Sequence, residues 1–250
     1  MKALLRTLIL ATVVIACDSG SAMDQTNEID DPNTVVTEDL PAVFARFYEN
    51  VNVYMDGTRV VIESDGVPDH TSPYFTDSRY AAYDGTNANF NLNPNRISEQ
   101  SFTFTIPADP QEASSKSATP LGAIGVAVNG VAIFNQYAGP NQPLTNEIDS
   151  FDQNNGHPQQ SGVYHYHIEP LSLTLQNGGD ALVGFLLDGF PVYGPVENGQ
   201  AVVNSDLDAY HGHDGVTSDF PNGIYHYHIT SEDPYINGSG FFGTAGTVSQ

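Results

Sequence analysis

Apolar residues from position 51 onward recur in short runs that alternate with polar residues or end at turn residues, and helical spacing is scarce. The stretch VNVYMDGTRVVIES, residues 51–64, alternates around Asp56-Gly57, and SFTFTIP, residues 101–107, alternates up to a proline. Alternation with period two is typical of a strand with one buried face, and an Asx-Gly pair between two such runs predicts a hairpin turn. The pattern therefore predicts an all-β fold.

Two longer apolar runs belong to an internal duplication. GAIGVAVNGVAIFN, residues 122–135, and ALVGFLLDGFPVYGP, residues 181–195, each place an Asx-Gly pair between apolar arms. A Gly-His pair follows each run, and after it comes GVYHYHI or GIYHYHI. The repeats span about 122–170 and 181–232. A duplicated unit with many long loops predicts a single β-sandwich or distorted barrel in which equivalent strands face one another.

The two Tyr-His-Tyr-His segments supply the candidate chemistry. On a strand, residues i and i+2 point to the same face, so His165 and His167 project together, and His226 and His228 do the same in the second copy. Their tyrosines point to the opposite face, where they can pack into a core. Two imidazoles whose Cα atoms are about 6.6 Å apart can converge on one metal ion.

Histidines in the adjoining loops extend this candidate set. His157 and His213 belong to the Gly-His pairs, and His211 forms a further His-x-His pair with His213. Asp214 is a candidate acceptor that fixes the tautomer of its neighbour His213. We expect nitrogens from both copies to meet at one shared site, joined by His157 or His213.

The donor type narrows the choice of ion. Histidine-rich sites suit Cu(II) first and Zn(II) second, since imidazole sites follow the order that favours copper, whereas magnesium and calcium prefer oxygen. Protons compete for imidazole, so metal affinity is expected to fall as the pH drops through about 6.5. The alternative is that the histidines are structural and were repeated only because the unit was duplicated.

The N-terminus predicts export and a lipid anchor. Residues 1–16 combine two cations with a short apolar core, as in a secretory signal peptide, and Val14-Ile15-Ala16-Cys17 resembles the bacterial lipobox, in which the cysteine is lipidated. An ordinary signal peptide with an incidental cysteine is the alternative. Residues 17–44 are polar and acidic and predict a disordered tether, which leaves residues 45–250 for one β domain.

Charge and cysteine content exclude several classes of site and partner. The formal net charge is −23, so phosphate groups are repelled and nucleic acid is not an expected partner. Cys17 is the only cysteine; once it is lipidated, the mature chain can form neither a disulfide nor a thiolate metal site.

Several motifs in this order resemble those of the YHYH family: GVPDH at 66–70, DGFPVYGP, HGHDG, the two YHYHI segments and the closing DPYINGSGFFG. The resemblance covers roughly residues 51–243 and implies a secreted protein. It also adds His70, which lies outside the internal repeat, to the candidate residues.

Three functional hypotheses follow. The leading one is a lipid-anchored protein of the bacterial cell envelope, periplasmic or surface-exposed, whose β domain binds a transition metal. The second is a surface or matrix binding domain in which the Tyr-His strands only pack. The third is a metal-dependent hydrolase or oxidase with an open coordination position, for which the sequence identifies no catalytic residue.

Overall fold

The computed structural model describes residues 39–238 and 240–250. The signal peptide, Cys17 and residues 17–38 of the tether lie outside the described residues. Of the helices in this part of the chain, none is long and apolar enough to cross a membrane.

Strands dominate the described residues, in agreement with the all-β prediction. They are β1 (Asn52–Asp56), β2 (Arg59–Ser64), β3 (Phe102–Pro107), β4 (Glu112–Ser117), β5 (Ala123–Ala127), β6 (Ala132–Phe134), β7 (Tyr137–Ala138), β8 (Gln142–Pro143), β9 (Gly156–Pro158), β10 (Tyr164–Tyr166), β11 (Leu182–Leu186), β12 (Pro191–Tyr193), β13 (Val196–Glu197), β14 (Gln200–Ala201), β15 (Gly212–Gly215), β16 (Ile224–His228), β17 (Phe241–Gly243) and β18 (Thr247–Ser249). Helical segments are α1 (Leu171–Asn177) and the 3-10 turns Ala42–Arg46, Ile148–Ser150 and Asn204–Asp206.

The duplicated units form one eight-stranded sheet with the order β15-β16-β12-β11-β5-β6-β10-β9. Equivalent strands lie at equal distances from the middle of this order, so the sheet has a pseudo-twofold axis between β11 and β5. The central pair is antiparallel, and Phe185 faces Val126, its counterpart in the other copy. The two Tyr-His strands, β10 and β16, consequently lie near opposite edges of the same sheet.

Two glycines allow the central strands to approach each other. A Cβ atom at Gly125 would lie 2.4 Å from the carbonyl oxygen of Phe185, and one at Gly184 would lie 2.2 Å from that of Val126. Real Cβ atoms are not found so close to a backbone oxygen, so only glycine fits at these two positions. The pairing of the two copies therefore depends on a Gly that occurs at the same place in each.

A second sheet, with the order β1-β2-β3-β18, shares one hydrophobic core with the first. Ile62 and Phe104 from this smaller sheet belong to the same buried cluster as Val126 and Phe185. The turn of the first duplicated hairpin is fixed against it, because the Ser64 hydroxyl donates a hydrogen bond to the Gly130 carbonyl at 2.8 Å. Neither sheet closes into a barrel in the described part of the chain.

Two small hairpins, β7 with β8 and β13 with β14, lie at equivalent positions in the two copies. They leave the sheet directly after β6 and β12, next to the Tyr-His strands that pair with β6 and β12 in parallel. Each hairpin is thus placed beside the histidines of its own copy.

Candidate metal centres

Tyrosines anchor each Tyr-His strand in the core, as the alternation predicts. Tyr164, Tyr166 and Tyr227 are fully buried and Tyr225 nearly so, all within the hydrophobic core. Their hydroxyls are paired in equivalent ways in the two copies. Tyr166 accepts a hydrogen bond from the Asn129 side chain at 3.2 Å, and Tyr227 donates one to Asp188, which occupies the place of Asn129 in the second hairpin turn. The histidines therefore project from rigid strands.

One aspartate in each copy holds the loop that carries the Gly-His pair. Asp152 Oδ1 accepts a hydrogen bond from the Tyr164 hydroxyl at 2.9 Å and from the backbone N–H of Gly156 at 3.3 Å. Asp208 Oδ1 does the same for Tyr225 at 2.9 Å and Gly212 at 3.2 Å. Each loop is thereby tied to the Tyr-His strand of its own copy.

Strand pairing then brings three histidines of each copy together. In the first copy β9 pairs with β10 so that His157 faces His165, and His167 is two residues further along. In the second copy β15 pairs with β16 so that His213 faces His226, and His228 follows in the same way.

The first cluster consists of His157, His165 and His167, all buried. The distance between the Nε2 atoms is 3.1 Å from His157 to His165 and 3.0 Å from His165 to His167. Two nitrogens bound tetrahedrally to one zinc ion at 2.0–2.1 Å are roughly 3.4 Å apart, so the spacing is close to that of a chelate.

Hydrogen bonds at Nδ1 fix the tautomers in this cluster. His165 Nδ1 lies 3.1 Å from the carbonyl oxygen of Val163, and His167 Nδ1 contacts that of Asn135. A carbonyl oxygen only accepts, so both rings carry their proton on Nδ1. His157 Nδ1 lies 2.8 Å from Ser150 Oγ, whose own hydroxyl proton is donated to the Glu147 carbonyl at 2.7 Å. Ser150 Oγ therefore accepts a hydrogen bond from His157 Nδ1, and this ring too carries its proton on Nδ1.

Burial keeps these imidazoles neutral. Removal from water lowers the pKa of His157 to about 3 and that of His167 to about 4, and it lowers the pKa of His165 well below its ordinary value. With Nδ1 protonated and the ring neutral, each Nε2 has a lone pair and no proton. Three lone pairs then point toward one another without a hydrogen bond between them, an arrangement that a cation among them stabilises.

The second cluster consists of His213, His226, His228 and a carboxylate, Glu197. The Nε2 atoms of the three histidines are buried and have no hydrogen-bond partner among the described residues. His226 and His228 donate from Nδ1 to the carbonyl oxygens of Ile224 and Gly194, both at 2.9 Å, so their Nε2 lone pairs are also free.

Glu197 is close to all three histidines of its cluster. Its Oε1 lies 3.5 Å from Nε2 of His213, 3.7 Å from that of His226 and 4.0 Å from that of His228. The contacts with His226 and His228 are not ion pairs with imidazolium, because burial lowers the pKa of His226, and that of His228 to about 4. The three nitrogens and one carboxylate oxygen all lie within 4.8 Å of one another and together form a site with four donors.

The expectation of a single site shared by both copies is wrong. Strands β10 and β16 are the seventh and the second in the sheet order, which places them about 24 Å apart at the usual strand spacing. The copies meet through β5 and β11 rather than through their Tyr-His strands. Each copy therefore has a cluster of its own, in which the Gly-His histidine is the third nitrogen donor.

Three further candidate residues lie outside both clusters. His211 is buried, and its Nε2 lies 3.0 Å from Thr230 Oγ1, so it is part of the scaffold. His70 Nε2 lies 3.1 Å from the Tyr166 hydroxyl, on the tyrosine face of the strand. Asp214 is exposed and pairs with Tyr225 on β16, so it points away from the face of β15 that carries His213.

Sequence reasoning missed both glutamates. Glu197 is on β13, and the aligned position of the first copy is Ala138, so the internal repeat gave no signal there. Glu147 Oε1 lies 3.4 Å from His157 Nε2, but it precedes the 3-10 turn Ile148–Ser150, and the residue before the equivalent turn of the second copy is Val203, which is not acidic. The loop aspartates were detectable, because Asp-x-x-x-Gly-His occurs in both copies, at 152–157 and 208–213.

A family model described as YHYH protein matches residues 103–204 and 196–240, and these ranges include every member of the two clusters. No curated protein and no solved structure matches the chain.

Proposed function

The chain belongs to the YHYH family, and from this premise we propose that it is a cell-envelope protein that binds two transition-metal ions, one in each copy of its repeat. One observation carries the proposal: in each cluster neutral imidazoles, held by their Nδ1 protons, direct unprotonated and buried Nε2 atoms at a common point. Histidines with only a scaffold role would be expected to have a hydrogen-bond partner at this nitrogen, as His211 Nε2 has in Thr230 Oγ1, which accepts because its own proton is donated to Asn204 or Glu232.

The donor set and its shape favour zinc at the second cluster, in place of the copper expected from the affinity order of imidazole sites. Four ligands in a square plane at about 2.0 Å would put the oxygen roughly 2.8 Å from two nitrogens and 4.0 Å from the third. A tetrahedron has equal separations of roughly 3.3 Å. The separations from Glu197 are 3.5, 3.7 and 4.0 Å, which are nearly equal and slightly wider than those of a tetrahedral site.

The first cluster offers three nitrogens and no thiolate or thioether, a set that fits Zn(II) and Cu(II). When bound there, either ion would supply a Lewis acid next to Glu147. The chain's own contribution is to fix three rings through Val163, Asn135 and Ser150, so that little ordering remains to be done when the ion binds.

The envelope location and the lipid anchor belong to the same proposal. They are supported by the lipobox at Val14–Cys17, and a substitution tests them: Cys17→Ser should release the protein from the membrane fraction or leave it unprocessed. A wild-type protein that carries no acyl label and fractionates as soluble would contradict the anchor and leave metal binding unaffected.

Calorimetric titration with Zn(II) and with Cu(II) tests metal binding. We expect a stoichiometry of two ions per chain, one in His165→Ala/His167→Ala, one in His226→Ala/His228→Ala, and none when all four are replaced. His211→Ala is the matched control, because it removes a buried histidine outside the clusters and should leave the stoichiometry at two. Wild-type protein that binds neither ion more tightly than about millimolar would end the proposal.

A further inference from the structure

The spaces beside the two clusters differ in size. His157, His165 and His167 line a cleft of about 700 Å³, whereas His226 and His228 line a pocket of about 120 Å³. A water molecule takes up roughly 30 Å³, so the pocket holds a few waters at most. The cleft is within the range of volumes that bind small organic molecules.

The carboxylates differ in the same direction. Glu197 lies within 4.0 Å of all three histidines of the second cluster. In the first cluster, Glu147 comes within this distance of His157 alone among the described residues. Glu147 Oε2 is buried and has no hydrogen-bond partner in this part of the chain. The first cluster thus has three donors at its centre and an unused acceptor at its edge.

The cleft wall indicates the charge of a ligand. Besides the cluster, it is lined by the amides of Asn95, Gln159 and Gln160 and by the rings of Phe134 and Tyr137. No Lys or Arg is among the described residues that line it, and its one carboxylate is Glu147. Such a wall disfavours large anions and suits an uncharged polar molecule.

On the basis of the proposed function, we propose that the second cluster is a closed structural site and that the first is an open one. The open site takes a small uncharged ligand that has an oxygen or nitrogen lone pair and a proton to donate, such as a hydroxamic acid, an amide or an alcohol. Glu147 accepts the hydrogen bond of that ligand. Structural zinc sites commonly have four protein ligands, whereas sites that bind exogenous ligands keep a position free.

Cobalt(II) absorption spectra test this assignment, because they respond to the coordination of the ion. The protein is the full-length chain with Cys17→Ser, which removes its only thiol. Loaded with two cobalt ions, it is titrated with acetohydroxamic acid, which donates a proton, and with azide, which does not. We expect each ligand to change the absorption of half the cobalt. The change should persist in His226→Ala/His228→Ala and disappear in His165→Ala/His167→Ala.

Glutamate variants separate the open position from the role of Glu147. Glu147→Gln should weaken acetohydroxamic acid about tenfold, because a charge-assisted hydrogen bond is lost, and should change azide affinity less than about twofold. Glu197→Gln is the matched control and should leave both ligand affinities at the first cluster unchanged. Equal weakening of both ligands by Glu147→Gln would remove the proton-accepting role.

The remaining outcomes are decisive in other ways. A response of both clusters, or of neither, while both bind cobalt would overturn the open and closed assignment and leave metal binding intact. Failure of the protein to bind cobalt at either cluster would overturn the proposed function and this inference together.

Discussion

The two copies of the repeat share the scaffold that directs their histidines and differ in the carboxylate beside them. Tyr164 with Asp152 and Tyr225 with Asp208 make equivalent contacts. The second copy takes its glutamate from the hairpin that follows its central strand, where the first copy has an alanine. The histidine triad is therefore a property of the duplicated strands, whereas the fourth group depends on loops that vary between the copies.

Removal of metal should have the largest effect on stability and tests whether the clusters act independently. At a free ion concentration 1,000 times the dissociation constant, each site stabilises the fold by about 4 kcal/mol, so two sites contribute about 8 kcal/mol. We expect chelator to lower the Tm by roughly 15 °C or more, and each double histidine variant to lose about half of this shift. Melting curves with and without chelator measure it.

The control for that experiment is His211→Ala, which should lower the Tm by a similar amount with and without chelator because its role is in packing and hydrogen bonding. A chelator shift that vanishes in both double variants would mean that the two clusters are coupled.

Acid should destabilise the metal-free protein. Burial lowers the pKa of His157 to about 3 and of His167, His211 and His228 to about 4, while in the unfolded chain they titrate near 6.5. Between about pH 6.5 and 4 the unfolded chain binds more protons, so stability falls as the pH falls. At pH 5.5 each of these histidines lowers the free energy of unfolding by about 1.4 kcal/mol relative to neutral pH. Denaturant unfolding in the presence of chelator at pH 7.5 and 5.5 measures the difference.

These pKa values also change the expected pH dependence of metal binding. Protons compete for the folded site only near its lowered pKa values, so metal should be retained below pH 6.5, against the expectation from free histidine. Burial raises the pKa of Asp152 and of Asp188. As the pH falls toward the range in which carboxyls titrate, these two groups therefore increase the free energy of unfolding and partly offset the loss caused by the histidines. Metal release with a midpoint near 6.5 in a folded protein would show that the cluster is not desolvated.

Forcing the two copies apart at the centre of the sheet should lower the free energy of unfolding by less than metal removal or acid does. Gly184→Ala puts a methyl group 2.2 Å from the Val126 carbonyl oxygen, which forces β11 away from β5. We expect a loss of about 3 kcal/mol, at the upper end for overpacking. Gly139→Ala is the matched control, because its Cβ meets nothing within 4 Å. Similar unfolding midpoints for both variants would contradict the close approach of the central strands.

The sequence predicted the local features of the fold better than its assembly. Alternation and Asx-Gly turns identify the hairpins because they depend on neighbouring residues. The Tyr-His periodicity likewise places His165 and His167 on one face and their tyrosines on the other. The central pairing joins residues about 60 positions apart in the sequence, such as Val126 and Phe185. It depends on the close approach of the two strands at Gly125 and Gly184, which is visible only in the structure.

In the candidate site, too, the sequence predicts what neighbouring or repeated residues share and misses contacts between distant positions. The register of β9 on β10 pairs His157 with His165, and the Gly-His motif in both copies was enough to nominate it. Glu147 and Glu197 come from unrelated positions on the chain, so an internal repeat gives no signal for them. A chain with 30 acidic residues offers no other basis for choosing these two.

The smallest predicted effect compares the two glutamates in zinc binding. Glu197→Gln should weaken zinc at the second cluster by about tenfold to a hundredfold, because a charged donor near all three nitrogens becomes a weaker neutral one. Glu147→Gln should change zinc affinity at the first cluster by less than about threefold, since Glu147 approaches only His157. Competition with a chromophoric chelator, in proteins that keep one cluster each, measures both. Equal losses would make Glu147 a fourth ligand, and the first copy would then be as closed as the second.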